Sequence, residues 1–183
     1  LRHILSSMLR TTLESFIFFT YWSVHASNFA LFFSGYAMRY PDSKYVSWKA
    51  FANIWNQIAM VMNTTTTIIA LGGIVPHSIN IFFETDTDKY DRAFDILSHT
   101  LPFIAETINF FELSDTVSYF TDTWVVAAVI FPYYLVNFFW TKETNDPPYP
   151  FMTWTEDDEM SIYVEIFMPF MGFIVHWVWC LIT

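Results

Sequence analysis

His99 and Glu106 stand seven residues apart, a spacing that on an α-helix returns close to the same face, with Pro102 on that face between them. An ionisable group inside an apolar span costs roughly 2.5–3.5 kcal/mol on insertion scales, so a pair of them there asks for a reason. One reason is chemistry; the other is a structural polar contact between helices. His25 and His176 are lone histidines in apolar stretches and read as structural. Haem ligation would need two histidines at matching depth on facing helices, so no cofactor is assigned. The single cysteine, Cys180, rules out an intrachain disulfide and any multi-cysteine metal site. The acidic runs Glu84 to Asp95 and Glu156 to Glu159 lack the glycine and the ligand alternation of a calcium loop, and no metal site is assigned. No GxSxG, phosphate-binding or dinucleotide pattern occurs.

The elements that must position these residues follow from composition. Of 183 residues, 54% are hydrophobic and 14% charged, and the mean hydropathy is +0.34. Soluble domains carry about 25% charged residues, so the expectation is an all-α multi-pass transmembrane bundle forming one integral membrane domain, residues 1–183. With only 4 glycines against 21 Phe, 10 Tyr and 8 Trp, bulky side chains are expected to do most of the packing and close small-residue crossings to be few. The net charge of −10 excludes nucleic acid as a partner.

Five spans are expected at about 15–37, 50–76, 96–111, 123–140 and 162–182, separated by charged or proline-bearing stretches. Trp124 and Trp140 near the ends of the fourth suit an interfacial aromatic belt. Within the second, Asn53, Asn56, Gln57 and the run Asn63 to Thr67 are expected to face other helices. Gly72, Gly73 and Pro76 mark its exit, and "ETDTDKYDRAFD", Glu84 to Asp95, reads as a wet loop. "TKETNDPPYPFMTWTEDDEM" should lie on the same side as that loop. The opening "LRHILSSMLRTTLESF", with two arginines and three serines, reads as the mature edge of a mitochondrial presequence. The mitochondrial inner membrane is therefore the favoured location, the endoplasmic reticulum the alternative.

Three stretches taken together resemble the androgen-induced membrane hydrolase family. "FFTYWSVHASNFALFFSG" is similar to that family's first helix, "SHTLPFIAE" to its "HTxxLPFxxxE", and "PPYPFMTW" to its "VYPFL" loop, in the same order. The resemblance implies an intramembrane site with Thr20 as nucleophile and His99 as catalytic histidine, acting on fatty acid esters of hydroxy fatty acids. The family has two more residues between its histidine and "LPF" than this chain has between His99 and Leu101. Two residues turn a helix by about 200°. Glu106 is therefore expected to face the bundle interior, while Thr20 and His99 stand too far apart to share a hydrogen bond. The function expected on that basis is a non-catalytic accessory or scaffold subunit of a larger membrane assembly, of respiratory-chain or ATP-synthase type. Its partners would be other membrane-protein subunits and phospholipids. Hydrolysis by Thr20 and His99 is the alternative.

Overall fold

The computed structural model describes residues 19–44, 47–71, 86–113, 118–149, 152–155 and 159–183, and every regular element among them is helical. Helix α1 is Phe19–Arg39, α2 Trp48–Ile69, α3 Asp86–Ile108, α4 Thr123–Thr144 and α5 Glu159–Ile182. A π-helical turn, Asn109–Leu113, ends α3, and a 3₁₀ turn, Phe120–Asp122, opens α4. The five helices overlie the five expected segments. Residues 15–18 and 72–76, including Gly72, Gly73 and Pro76, lie outside the described residues, as do residues 1–14.

One boundary differs from the sequence reading. From Asp86 the stretch read as a wet loop is the start of α3. Acidic residues are favoured at a helix N-terminus by the macrodipole, and Asp88 and Arg92 stand at the i,i+4 spacing that supports a helix. Charge density reads as a sign of water, and it does not by itself separate a loop from a helix.

Helix α2 is central: it touches each of the other four, and most extensively α1. The α1–α2 crossing also departs from expectation, because it is built on small residues. The buried stripe of α1 is Ser23, Ala26, Ser27, Ala30 and Ser34, facing Ala52 and Ala59 among the buried residues of α2. Serine and alanine supply the close approach for which glycine was sought. Hydrogen bonds cross the seam from Asn63 Nδ2 to Ser27 Oγ (2.7 Å) and from Asn56 Nδ2 to Ser34 Oγ (3.2 Å). Ala30 is wholly buried there. Ala30→Leu should force the helices apart and cost about 1–3 kcal/mol, read as a lowered unfolding midpoint in detergent.

Polarity is arranged inside out. Asn56, Gln57, Asn63, Glu106, Asn109 and His176 are each at most 2% exposed, while Leu97, Leu101, Ile104 and Ile108 form an outward stripe on α3. Helix α4 turns Trp124, Phe131, Leu135 and Phe139 outward, and α5 does the same with Phe167, Phe170, Ile174 and Leu181. Among the described residues one run, Phe120–Thr144, is long and apolar enough to cross a membrane, with a mean hydropathy of 1.5; Pro169–Ile182 is apolar but shorter. In α2 the average is pulled down by Asn, Gln and Thr side chains buried within the bundle.

Candidate active site

Helix α3 presents His99, Phe103, Glu106 and Phe110 on its inner side, at successive spacings of four, three and four. Pro102 has no N–H to offer the Ser98 carbonyl one turn back. The Thr67 hydroxyl of α2 donates to the His99 carbonyl at 2.7 Å and ties the two helices at this level. The imidazole is thereby aimed at the first turn of α1. Thr20 Oγ1 lies 3.2 Å from His99 Nε2.

That distance corrects the expectation that the two side chains stand too far apart. The expectation held Leu101 to Glu106 in another family's register and moved the histidine. Within this chain the seven-residue spacing decides, and it puts His99 on the same inner face as Glu106. Ser98 Oγ sits 3.2 Å from His99 Nδ1. Hydroxyls thus flank both ring nitrogens, and in the tautomer with the proton on Nδ1, Nε2 can accept from the Thr20 hydroxyl. On the other side of α1, the Ser23 hydroxyl donates to the Thr20 carbonyl at 2.7 Å.

A fourth group, absent from the sequence reading, completes the cluster. The Phe19 N–H donates to Tyr149 Oη at 3.0 Å, and the same hydroxyl is within hydrogen-bonding reach of the Thr20 and Tyr133 side chains. Tyr149 arrives there because the chain folds back after α4. Asn145 closes α4 in the left-handed region (φ 52°), and the Trp140 indole donates to the Asp146 carbonyl at 3.1 Å. Farther along, the Trp154 indole donates to Asn137 Oδ1 at 2.6 Å, and Lys142 Nζ to the Trp154 carbonyl at 2.8 Å. These bonds hold Trp154 at φ 53°, a strained conformation for a bulky side chain. Pro147 and Pro148 stiffen the backbone leading into the tyrosine. Burial raises the Tyr149 phenol above its ordinary value against the hydrogen bonds that pull it down, so at neutral pH it remains a hydroxyl. The signal that could have found it was its place inside "PPYPFMTW", already singled out as a stretch.

The other candidates lie apart from this cluster. Glu106 faces the interior at 1% exposure, as expected, but its partner is Asn109, whose Nδ2 donates to Oε1 at 3.3 Å and to Asn56 Oδ1 at 2.7 Å. It stands about 10 Å along the helix from His99 and belongs to a polar network joining α1, α2 and α3. His176 is fully buried on α5, with Nε2 3.2 Å from the Tyr119 carbonyl, so it pins α5 to the segment that opens α4. His25 is exposed on α1 and edges an apolar cavity of about 340 Å³ between α1, α2 and α4, lined by Trp22, Ala26, Phe29, Trp55, Met62 and Val129. Among the described residues no three His, Cys, Asp or Glu side chains gather as a metal site would require.

The assembled groups are a threonine hydroxyl, an imidazole 3.2 Å from it, and a half-buried phenol beside the hydroxyl. Such a set can carry acyl transfer. Comparison with protein-family models, with curated proteins and with solved structures gave no match.

Proposed function

We propose that this chain is a multi-pass helical membrane protein whose Thr20–His99 pair hydrolyses lipid esters. The substrate class, fatty acid esters of hydroxy fatty acids, comes from its resemblance to the androgen-induced membrane hydrolases. The observation that carries the reading is the 3.2 Å contact between Thr20 Oγ1 and His99 Nε2. In the reaction, Thr20 Oγ1 bonds to the ester carbonyl carbon as its proton passes to His99 Nε2 and the carbonyl π pair moves onto oxygen. The intermediate then collapses, the ester C–O bond breaks, and the imidazolium proton goes to the leaving alkoxide to give the alcohol. Water then attacks the acyl-threonine carbonyl carbon with His99 Nε2 taking its proton; the intermediate collapses, the acyl C–Oγ1 bond breaks, and the imidazolium returns the proton to Thr20 Oγ1 as the fatty acid departs. The apolar cavity that begins at Trp22, two residues along α1 from Thr20, is of a size to take part of an acyl chain. Purified protein should release hydroxy fatty acid from such an ester in detergent micelles; no turnover with any long-chain ester would remove the reading.

The membrane assignment rests on the apolar exterior, the buried polar network and the α4 run. Helix α1, 21 residues long, extends about 31 Å, close to the thickness of a hydrocarbon core. Tyr149 meets one end of it and Asp42 follows the other. In oriented vesicles, cysteines at the exposed positions Asp146 and Asp42 should label from opposite faces in a Cys180→Ser background. Labelling of both from one face would break the bundle topology.

The accessory-subunit reading is the second. It is favoured by the α1–α2 end, where Phe32, Tyr36, Tyr40 and Phe51 are exposed and belong to a continuous chain of ring contacts. Purification from native membranes distinguishes the two, since a subunit would migrate with a larger assembly. The mitochondrial inner membrane is proposed on the N-terminal stretch alone, and fractionation tests it against the endoplasmic reticulum.

A further inference from the structure

We infer that Tyr149 is the oxyanion donor of this site, the group that hydrogen-bonds the charged oxygen formed when Thr20 attacks an ester. The inference rests on the hydrolase reading above and deepens it.

In the transition state of acyl transfer, negative charge develops on an oxygen two bonds from the attacking atom, and a donor already aimed there lowers the barrier. Tyr149 Oη lies within hydrogen-bonding reach of the Thr20 side chain, and so beside any carbonyl group that Thr20 Oγ1 attacks. Its acceptor role is already filled, since the Phe19 N–H donates to it at 3.0 Å. A phenol that accepts one hydrogen bond becomes a better donor of its own proton, by the cooperativity of hydrogen-bond chains. That single proton can pass between the Thr20 oxygen before attack and the carbonyl oxygen after it. Neither shift requires the ring to leave its place.

The placement is also rigid. The Tyr133 ring packs edge-on against Phe19, with centroids 4.9 Å apart, and its hydroxyl is in reach of Tyr149. Asn137 Nδ2 donates to Tyr133 Oη at 3.4 Å, which anchors the second tyrosine to α4. The phenol is therefore backed by a second ring, preceded by two prolines, and fixed by a backbone donor on α1. A donor held in this way pays no reorganisation during reaction, which is what distinguishes an oxyanion group from a chance contact. The alternative role, proton abstraction from Thr20, is already taken by His99 Nε2.

The test uses the full chain in detergent micelles with p-nitrophenyl decanoate as substrate and a decyl trifluoromethyl ketone as inhibitor. The ketone adds the nucleophile to its carbonyl and so presents the same charged oxygen. Tyr149→Phe keeps the ring and removes the donor. Its kcat/KM should fall about 10²–10³-fold and its affinity for the ketone should fall in parallel, while binding of the product decanoate stays at the wild-type level. Tyr36→Phe, which removes an exposed hydroxyl near the other end of α1, should leave the rate unchanged. Should Tyr149→Phe fail to fold, 3,5-difluorotyrosine at position 149 preserves the packing and makes the phenol more acidic. The alkaline limb of the pH–rate profile should then move to lower pH. A Tyr149→Phe enzyme with wild-type turnover, one that loses turnover with ketone affinity intact, or an unmoved profile with difluorotyrosine overturns the role. Inactive Thr20→Ala beside active Tyr149→Phe sinks the Tyr149 role alone, whereas an active Thr20→Ala sinks the hydrolase reading and this role with it.

Discussion

Thr20→Ala should abolish ester hydrolysis, lowering kcat by at least about 10³-fold, with KM for the ester little changed. The alanine removes the attacking oxygen and leaves the acyl cavity untouched, so binding and chemistry separate. His99→Ala should fall to a similar floor, and the double variant should be no worse than either single one, because the two groups act as a unit. Additive losses would mean that they do not share a step. Thr20→Ser is the informative companion, since it keeps the hydroxyl facing His99 Nε2 and drops only a methyl group. It should retain most of the activity. If Thr20→Ala hydrolyses at the wild-type rate, the 3.2 Å contact is a structural hydrogen bond between α1 and α3 and the accessory-subunit reading gains the ground.

Asn56→Leu is expected to have the largest effect on stability, about 2–4 kcal/mol, by stranding buried partners on two neighbouring helices. Asn56 is fully buried; it donates to Ser34 Oγ at 3.2 Å and accepts from Asn109 Nδ2 at 2.7 Å. One change therefore removes a tie from α2 to α1 and another to the turn that ends α3. Leucine has the branching of asparagine and is the bulkier of the two, so the loss would report severed hydrogen bonds together with some overpacking, and not a cavity. Glu106→Gln should cost far less, under about 1 kcal/mol, because the amide keeps an acceptor toward Asn109 and adds a donor where Oε2 has no partner among the described residues. Denaturant titration in mixed micelles measures both. Equal losses from the two variants would show that the network is not organised around Asn56.

The two predictions draw on different parts of the chain, and the sequence exposed them to different degrees. Helix existence and helix faces were legible because they follow from local periodicity. The seven-residue step from His99 to Glu106 fixes a shared face whatever surrounds it, and the run Thr123 to Trp140 is legible from composition as an apolar helix long enough to cross a membrane. The polar residues of α2 were legible as inward-facing for the same reason, since amide side chains in an apolar helix seek partners. By contrast, the charged stretch before His99 carries a helix that composition alone hid.

What the sequence could not determine is which face meets which. Thr20 and His99 are separated by 79 positions, and Phe19 and Tyr149 by 130. Nothing in local spacing sets the distance between such residues. It depends on the depth at which α1 slides past α2, held by the Ser27–Asn63 and Ser34–Asn56 bonds, and on the depth of α3, held by Thr67 at the His99 carbonyl. A slip of one turn, about 5.4 Å, at either seam would part Thr20 from His99 while leaving every helix intact. The sequence thus determined the helices, their inner faces and the residue types available for chemistry. Only the packing of small residues and buried amides between helices decided that Thr20, His99 and Tyr149 meet, because register between helices is a property of the interface and belongs to neither chain segment alone.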